Sequence, residues 1–128
     1  MSEPDAIRAL AARFFDCIEQ GDVEGVSACY APELVVWHNF DDLEQPREAN
    51  LATLASMIKW ISERRYERRR VDVFEGGFVQ QHVLTGTRRD GVRVSLPGVL
   101  VGQVRDGKIT RLDEYLDSAQ VAAFRVRA

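Results

Sequence analysis

Long apolar runs are missing from this chain: none approaches the roughly 20 residues needed to span a bilayer, so a membrane partner is not expected. The opening MSEPDAIRAL is acidic and has no apolar h-region, which argues against a secretory signal and makes a cytoplasmic location the default expectation. Cysteine is scarce. Cys17 and Cys29 form no C-x-x-C pair and have no nearby histidine cluster, so a zinc site is not expected and both read as buried, inert thiols. Positive charge is not in excess: 17 basic against 20 acidic residues leave a net −3, with no overall drive towards nucleic acid. Internal repeats, low-complexity tracts and linkers are absent too. The 128 residues therefore read as one domain, 1–128, and their 45% hydrophobic content is enough for a core.

What the chain does have is clear periodicity. Ile7, Leu10, Ala11, Phe14 and Ile18 recur at helical spacing, with Phe15 widening the stripe. Ser2 and Asp5, with Pro4 in the first turn, predict the start of this helix, and Gly21 its stop. Asp22 caps a short second helix carrying Val23, Val26 and Tyr30, which Pro32 ends. Residues 34–39 then alternate, with Leu34, Val36 and His38 on one face and Val35, Trp37 and Asn39 on the other. A polar loop over 41–46 leads into a long helix from about Pro46 to Arg65. Its buried stripe is Leu51, Leu54, Ala55, Ile58 and Ile61, flanked by Met57 and Trp60.

After that helix the period becomes two. Strands are predicted over 66–75, 78–88, 92–104 and 108–116, with turns at Gly76-Gly77, Arg89-Asp90-Gly91 and Arg105-Asp106-Gly107. Asp117 and Ser118 can cap a terminal helix with Val121 and Phe124. Helices followed by a run of strands indicate α+β, a curved antiparallel sheet wrapped around helices, with room for a small apolar ligand at its wide end. The run Arg64, Arg65, Arg68, Arg69, Arg70 crosses a helix end into a strand, so it reads as solvated surface or dimer-edge ion pairs.

The order and spacing of these pieces resemble the nuclear transport factor 2-like superfamily, the cystatin-like cone that includes ketosteroid isomerase and the SnoaL-like polyketide cyclases. The resemblance rests on FFDCIEQGD (Phe14 to Asp22), on Ala28 to Trp37, on DGKITRL from Asp106, and on the closing Glu114-Tyr115-Leu116-Asp117. It covers nearly the whole chain. Such cones host isomerases, cyclases, dehydratases, hydrolases and non-catalytic binders, so the fold does not fix the function. Ketosteroid isomerases use a tyrosine where Phe14 stands, an aspartate base where His38 stands, and a protonated aspartate close to the place of Leu100. Both oxyanion donors are therefore absent, which argues against that activity. The resemblance also implies a homodimer through the outer sheet face, where Trp37 and Tyr115 would lie.

The resemblance points the faces bearing His38, His82 and Glu114 into the cone, with Gln80 beside His82. Phe14, Ile18, Tyr30, Leu54, Met57, Ile58, Trp60, Leu84 and Leu112 would supply an apolar lining. A carboxylate beside an imidazole fixes its tautomer and raises its basicity, so this set can move protons without a cofactor. Ser95 and the cysteines have no adjacent base to make them nucleophiles. Each polar candidate also has a structural reading: His38 as a strand cap, His82 as a core histidine bonded to Gln80, Glu114 in an ion pair. His38, His82 and Glu114 could also ligate a metal, but water would have to complete the set, so no metal is expected. Three functions fit: cofactor-free isomerisation, cyclisation, dehydration or hydrolysis of a small apolar molecule; binding without turnover; or a dimerisation module.

Overall fold

Caps and turns set the element boundaries. The computed structural model describes residues 2–127. Helix α1 (Glu3–Gln20) begins where the Ser2 hydroxyl accepts the Asp5 N–H, and it ends at Gly21, whose φ of 74° suits glycine. Helix α2 (Val23–Cys29) is capped by Asp22, which accepts the Gly25 N–H at 2.9 Å. Strand β1 (Tyr30–His38) already starts at Tyr30, ahead of Pro32, and its regular pairing begins at Val35. The expected loop over 41–46 instead contains a short strand, β2 (Glu44–Pro46), paired with β1. Three residues are too few to show a period.

Helix α3 (Arg47–Trp60) is shorter than its sequence pattern implied. The chain leaves the helix at Ile61 because Ile61 and Ser62 pair with Arg88 and Thr87. Strands β3 (Ile61–Phe74), β4 (Gly77–Arg88), β5 (Arg93–Arg105) and β6 (Lys108–Leu116) follow, then helix α4 (Ser118–Phe124) with Asp117 as its cap. The sheet order is β2-β1-β6-β5-β4-β3. This is the α+β cone, with one refinement to the antiparallel expectation: β1 lies parallel to β6. No helix among the described residues is long and apolar enough to cross a membrane.

The sheet curls because β3 carries two bulges. Pairing with β4 slips between Ser62 and Arg65 and again between Glu67 and Arg70, and Glu63 and Arg68 both have φ of 53°. Each bulge adds a residue to one strand and bends it. It also resets the alternation, so the buried or half-buried positions run Ile61, Arg64, Tyr66, Arg69, Val71, Val73. Along this concave face, α1 packs Phe14, Phe15 and Ile18 against Phe78, Leu100 and Leu112. A second, smaller apolar cluster (Ile61, Leu84, Val94, Leu96, Val121, Phe124) lies where α4 closes over the sheet.

Arg64 departs from the surface role expected of the arginine run. Its Nε donates to the Ile18 carbonyl at 3.0 Å, and its terminal nitrogens donate to Glu19, Ile58 and Ile61 carbonyls. One guanidinium thus satisfies the C-terminal ends of α1 and α3, where helix dipoles favour a cation. Arg69 reaches Asp16 at 2.8 Å and Glu19 at 3.1 Å on α1. His82 is held in the core: its ring packs edge-on to Phe15 and Tyr66, and Nδ1 lies 2.9 Å from the Gln80 amide nitrogen. With the amide nitrogen as the donor, the imidazole proton sits on Nε2. Burial, followed by the charge of Arg69, outweighs the opposing pull of Glu114 and lowers its pKa from 6.5 to about 4.

Two outcomes follow for stability. Arg64→Ala leaves four carbonyls without this donor and should cost about 2–3 kcal/mol, read as a lower urea midpoint at unchanged m-value. Arg64→Lys, lacking the fork, should recover less than half of the loss. For His82, the folded pKa is depressed, so its contribution is present above pH 6.5 and is lost as pH falls towards about 4. Up to about 3 kcal/mol should disappear across that window, and His82→Gln should flatten the wild-type slope of stability against pH. Identical slopes in the two proteins would rule out a neutral, buried imidazole.

Candidate functional site

His38 ends β1 on the concave face and is buried, at 7% exposure. The turn that follows is held by several bonds. The Asp42 N–H donates to the His38 carbonyl at 2.9 Å, and the Trp37 indole donates to the Asp42 carboxylate at 2.8 Å. Asn39 extends the β1–β6 pairing with its side chain: its amide donates to the Leu116 carbonyl at 3.0 Å and accepts the Leu116 N–H at 2.7 Å. The imidazole therefore has a fixed position. In the parallel register His38 stands opposite Glu114, and Nε2 lies 3.2 Å from the Glu114 carboxylate. The carboxylate is the more open partner, with its side chain 24% exposed against 9% for the imidazole.

Both groups line a cavity of about 400 Å³, within the size range of small-ligand sites. Leu54 and Met57 of α3, Leu84 of β4, Leu96 of β5, and Val121 and Phe124 of α4 form its apolar walls. Tyr66 of β3 also lines it. Burial, then the nearby Glu114 charge, raises the pKa of this phenol, so it remains a neutral O–H donor. Its hydroxyl makes no hydrogen bond within the protein among the described residues. Asn50 adds an amide, oriented by the Tyr30 hydroxyl donating to its oxygen at 2.7 Å. Among the described residues no three His, Cys, Asp or Glu side chains gather as a metal site.

The residues singled out from sequence divide into two groups. His38, Glu114, Leu54, Met57 and Leu84 come together at the cavity. The others lie outside its lining. Phe14, Ile18, Tyr30 and Leu112 are core side chains under α1, whose close packing fills the narrow end of the cone. Gln80 is fully buried and bonded to His82, with its Oε1 unpartnered among the described residues. His82 sits in its aromatic cage rather than in the cavity wall. Ile58 turns towards Gly21 and Arg64 at the end of α1. Trp60 packs under the Arg89 guanidinium, 4.2 Å from its ring centroid.

Several lining residues were missed, and some left a signal. Asn50, Thr53, Leu54 and Met57 share one helical face at i, i+3, i+4, i+7, rotated from the stripe through Ala55, which is exposed. Two of the four are polar, which hid the face. Tyr66 was obscured by the bulges that reset β3. Phe40, Arg125 and Arg127 lie outside any regular element, where periodicity has no purchase.

Comparison with known proteins agrees with the fold. A family model for the SnoaL-like domain matches residues 11–112. A candidate polyketide cyclase from Xanthomonas campestris pv. campestris is 20% identical, with a TM-score of 0.85, covering 95% of this chain and 98% of that one. An NTF2-like protein of unknown function from Burkholderia pseudomallei is 17% identical, with a TM-score of 0.81, covering 97% and 98% of the two chains. A ketosteroid isomerase-like fold from Catenulispora acidiphila, solved with trimethylamine, is 12% identical with a TM-score of 0.77, covering 89% of each. At these identities the likeness concerns the fold. No curated protein matches the chain. With the cone, its concave-face cavity and a domain match over most of its length, the chain belongs to the SnoaL-like domain family.

Proposed function

We propose that the protein binds a small, largely apolar molecule in the 400 Å³ cavity and moves a proton on it without a cofactor. The observation that carries this reading is the His38–Glu114 contact at 3.2 Å inside an apolar wall. A carboxylate in such surroundings is costly unless partnered, and here its partner is an imidazole that can also exchange a proton. Glu114, the more exposed of the two, meets the substrate and takes its proton. His38 donates to the carboxylate from Nε2 and holds it in position. Tyr66 and Asn50 are the polar groups available to hydrogen-bond an oxygen that gains charge during the step. They take the place of the two donors missing at Phe14 and Leu100, both of which are buried apolar side chains. Isomerisation, cyclisation and dehydration contain such a step; in hydrolysis Glu114 would take the proton from the attacking water instead. The competing reading is binding alone, in which the same groups only orient the ligand.

We further propose that a second copy covers the outer sheet face. Tyr115 is 47% exposed there and packs on Trp37 at 5.4 Å between ring centroids. Val79, Val83, Val99 and Val101 are half-buried on adjoining strands of that face, where a shallow groove of about 550 Å³ runs past Tyr115. Two such patches meeting would bury apolar surface at an isologous interface.

Thermal-shift screening with steroids, polyketide fragments and terpenoids should find stabilising ligands, and each hit should be assayed for turnover. Glu114→Gln and His38→Ala should each lower kcat by about 10²–10⁴-fold with the melting point nearly kept. Turnover unchanged in both variants would refute the roles given to Glu114 and His38, whereas ligands that bind with no turnover would leave only the binding reading. For the assembly, light scattering should give a dimer mass, and Tyr115→Glu should shift it to the monomer. A monomeric wild type at tens of micromolar would dismiss the interface.

A further inference from the structure

The mouth of the cavity carries charge that the proton step does not use. Arg125 and Arg127 follow α4 directly, and both line the cavity. The Arg125 guanidinium lies 5.3 Å from the Phe40 ring centroid, and that of Arg127 lies 5.6 Å from the Trp60 centroid. Stacking of this kind holds a guanidinium without neutralising it. Arg47, Arg69, Arg70, Arg88, Arg105 and Arg111 all pair with carboxylates. Arg125 and Arg127 pair with none among the described residues, and their side chains donate no hydrogen bond there. A third cation, Arg89, stacks on Trp60 at 4.2 Å and donates one bond to the Lys59 carbonyl at 3.2 Å.

This concentration of positive charge stands against the chain as a whole, which carries a net −3. Burial, and then the neighbouring Arg125 charge, lowers the pKa of Arg127. Glu114 lines the same cavity and is more buried than the two exposed arginines, so the sign of the charge reverses inward. An anion placed deep would meet that carboxylate, whereas an anion at the mouth meets two guanidinium forks suited to bidentate contact.

We propose that the ligand is an amphipathic acid: an apolar body inside the cavity, and a carboxylate or equivalent anion held at the mouth by Arg125 and Arg127. The inference rests on the binding reading above and narrows it to a substrate class. It also fixes orientation, with the anionic end outward and the carbon to be deprotonated towards Glu114. The matched family span stops at residue 112, so these arginines lie beyond it.

The test compares two probes of similar shape, 2-naphthoate and the uncharged ketone 2-acetylnaphthalene, by calorimetric titration of the full chain at low salt. Wild type should bind naphthoate at least about ten-fold more tightly than the ketone, equivalent to about 1.4 kcal/mol. Arg125→Gln/Arg127→Gln should reduce that ratio to about two-fold or less, and Arg127→Gln alone should give an intermediate ratio. Met57→Trp, which fills the cavity, should weaken both probes. Ketone binding without a preference for naphthoate would overturn the anion inference and leave the cavity reading intact. A preference that survives in the double variant, or naphthoate binding indifferent to Met57→Trp, would also overturn it. Failure of both probes to bind would remove the inference and the cavity reading together.

Discussion

The parallel pairing of β1 with β6 is the constraint on which the site depends. These strands are far apart in sequence, and their register alone sets His38 opposite Glu114. A slip of one residue would turn one of the two side chains to the convex face and separate them. The register is fixed on the outer side by the Asn39 amide, which pairs with both backbone groups of Leu116. On the inner side it is fixed by burial, since Leu34, Val36 and Leu112 fit only the concave face.

Curvature provides the second requirement. A flat sheet under α1 would pack shut along its whole length. The β3 bulges at Glu63 and Arg68 bend the far edge inward, and Arg64 ties that bend to the ends of α1 and α3. The narrow end then fills with Phe14, Phe15, Ile18 and Phe78, while the wide end stays open enough for a cavity. Helix α4 closes one side with Val121 and Phe124 and delivers Arg125 and Arg127 to the rim. The resulting hollow is apolar on its walls, with a carboxylate–imidazole pair inside and cations at its mouth.

The two histidines show how differently one residue type can be used. Both sit on the concave face of a strand. His38 meets a carboxylate beside the cavity, whereas His82 meets two aromatic rings and an amide and is kept neutral by burial. Locally, Gln80, two residues before His82, sets them apart by contact; the larger difference lies in what packs above each. Helix α1 covers His82 with Phe15, while His38 faces the cavity.

Much of the fold was legible in the residues. Capping by Ser2, Asp22 and Asp117, the stop at Gly21, and the limits of β6 follow from local hydrogen bonding and from a period of two, which need no distant partner. Alternation sorted the residues of β1, β4 and β6 into faces, and the family resemblance pointed the faces bearing His38 and Glu114 inward. Sequence did not show that α3 ends at Trp60, that β3 is bulged, or that the cavity-facing side of α3 runs through Asn50 and Thr53. Each of these was decided by pairing or packing with residues remote in the chain. Periodicity tells which side of an element is buried. Only the tertiary structure decides whether that side meets close-packed core, as Phe14 and Gln80 do, or a space large enough for another molecule, because that depends on how far the opposing element stands off.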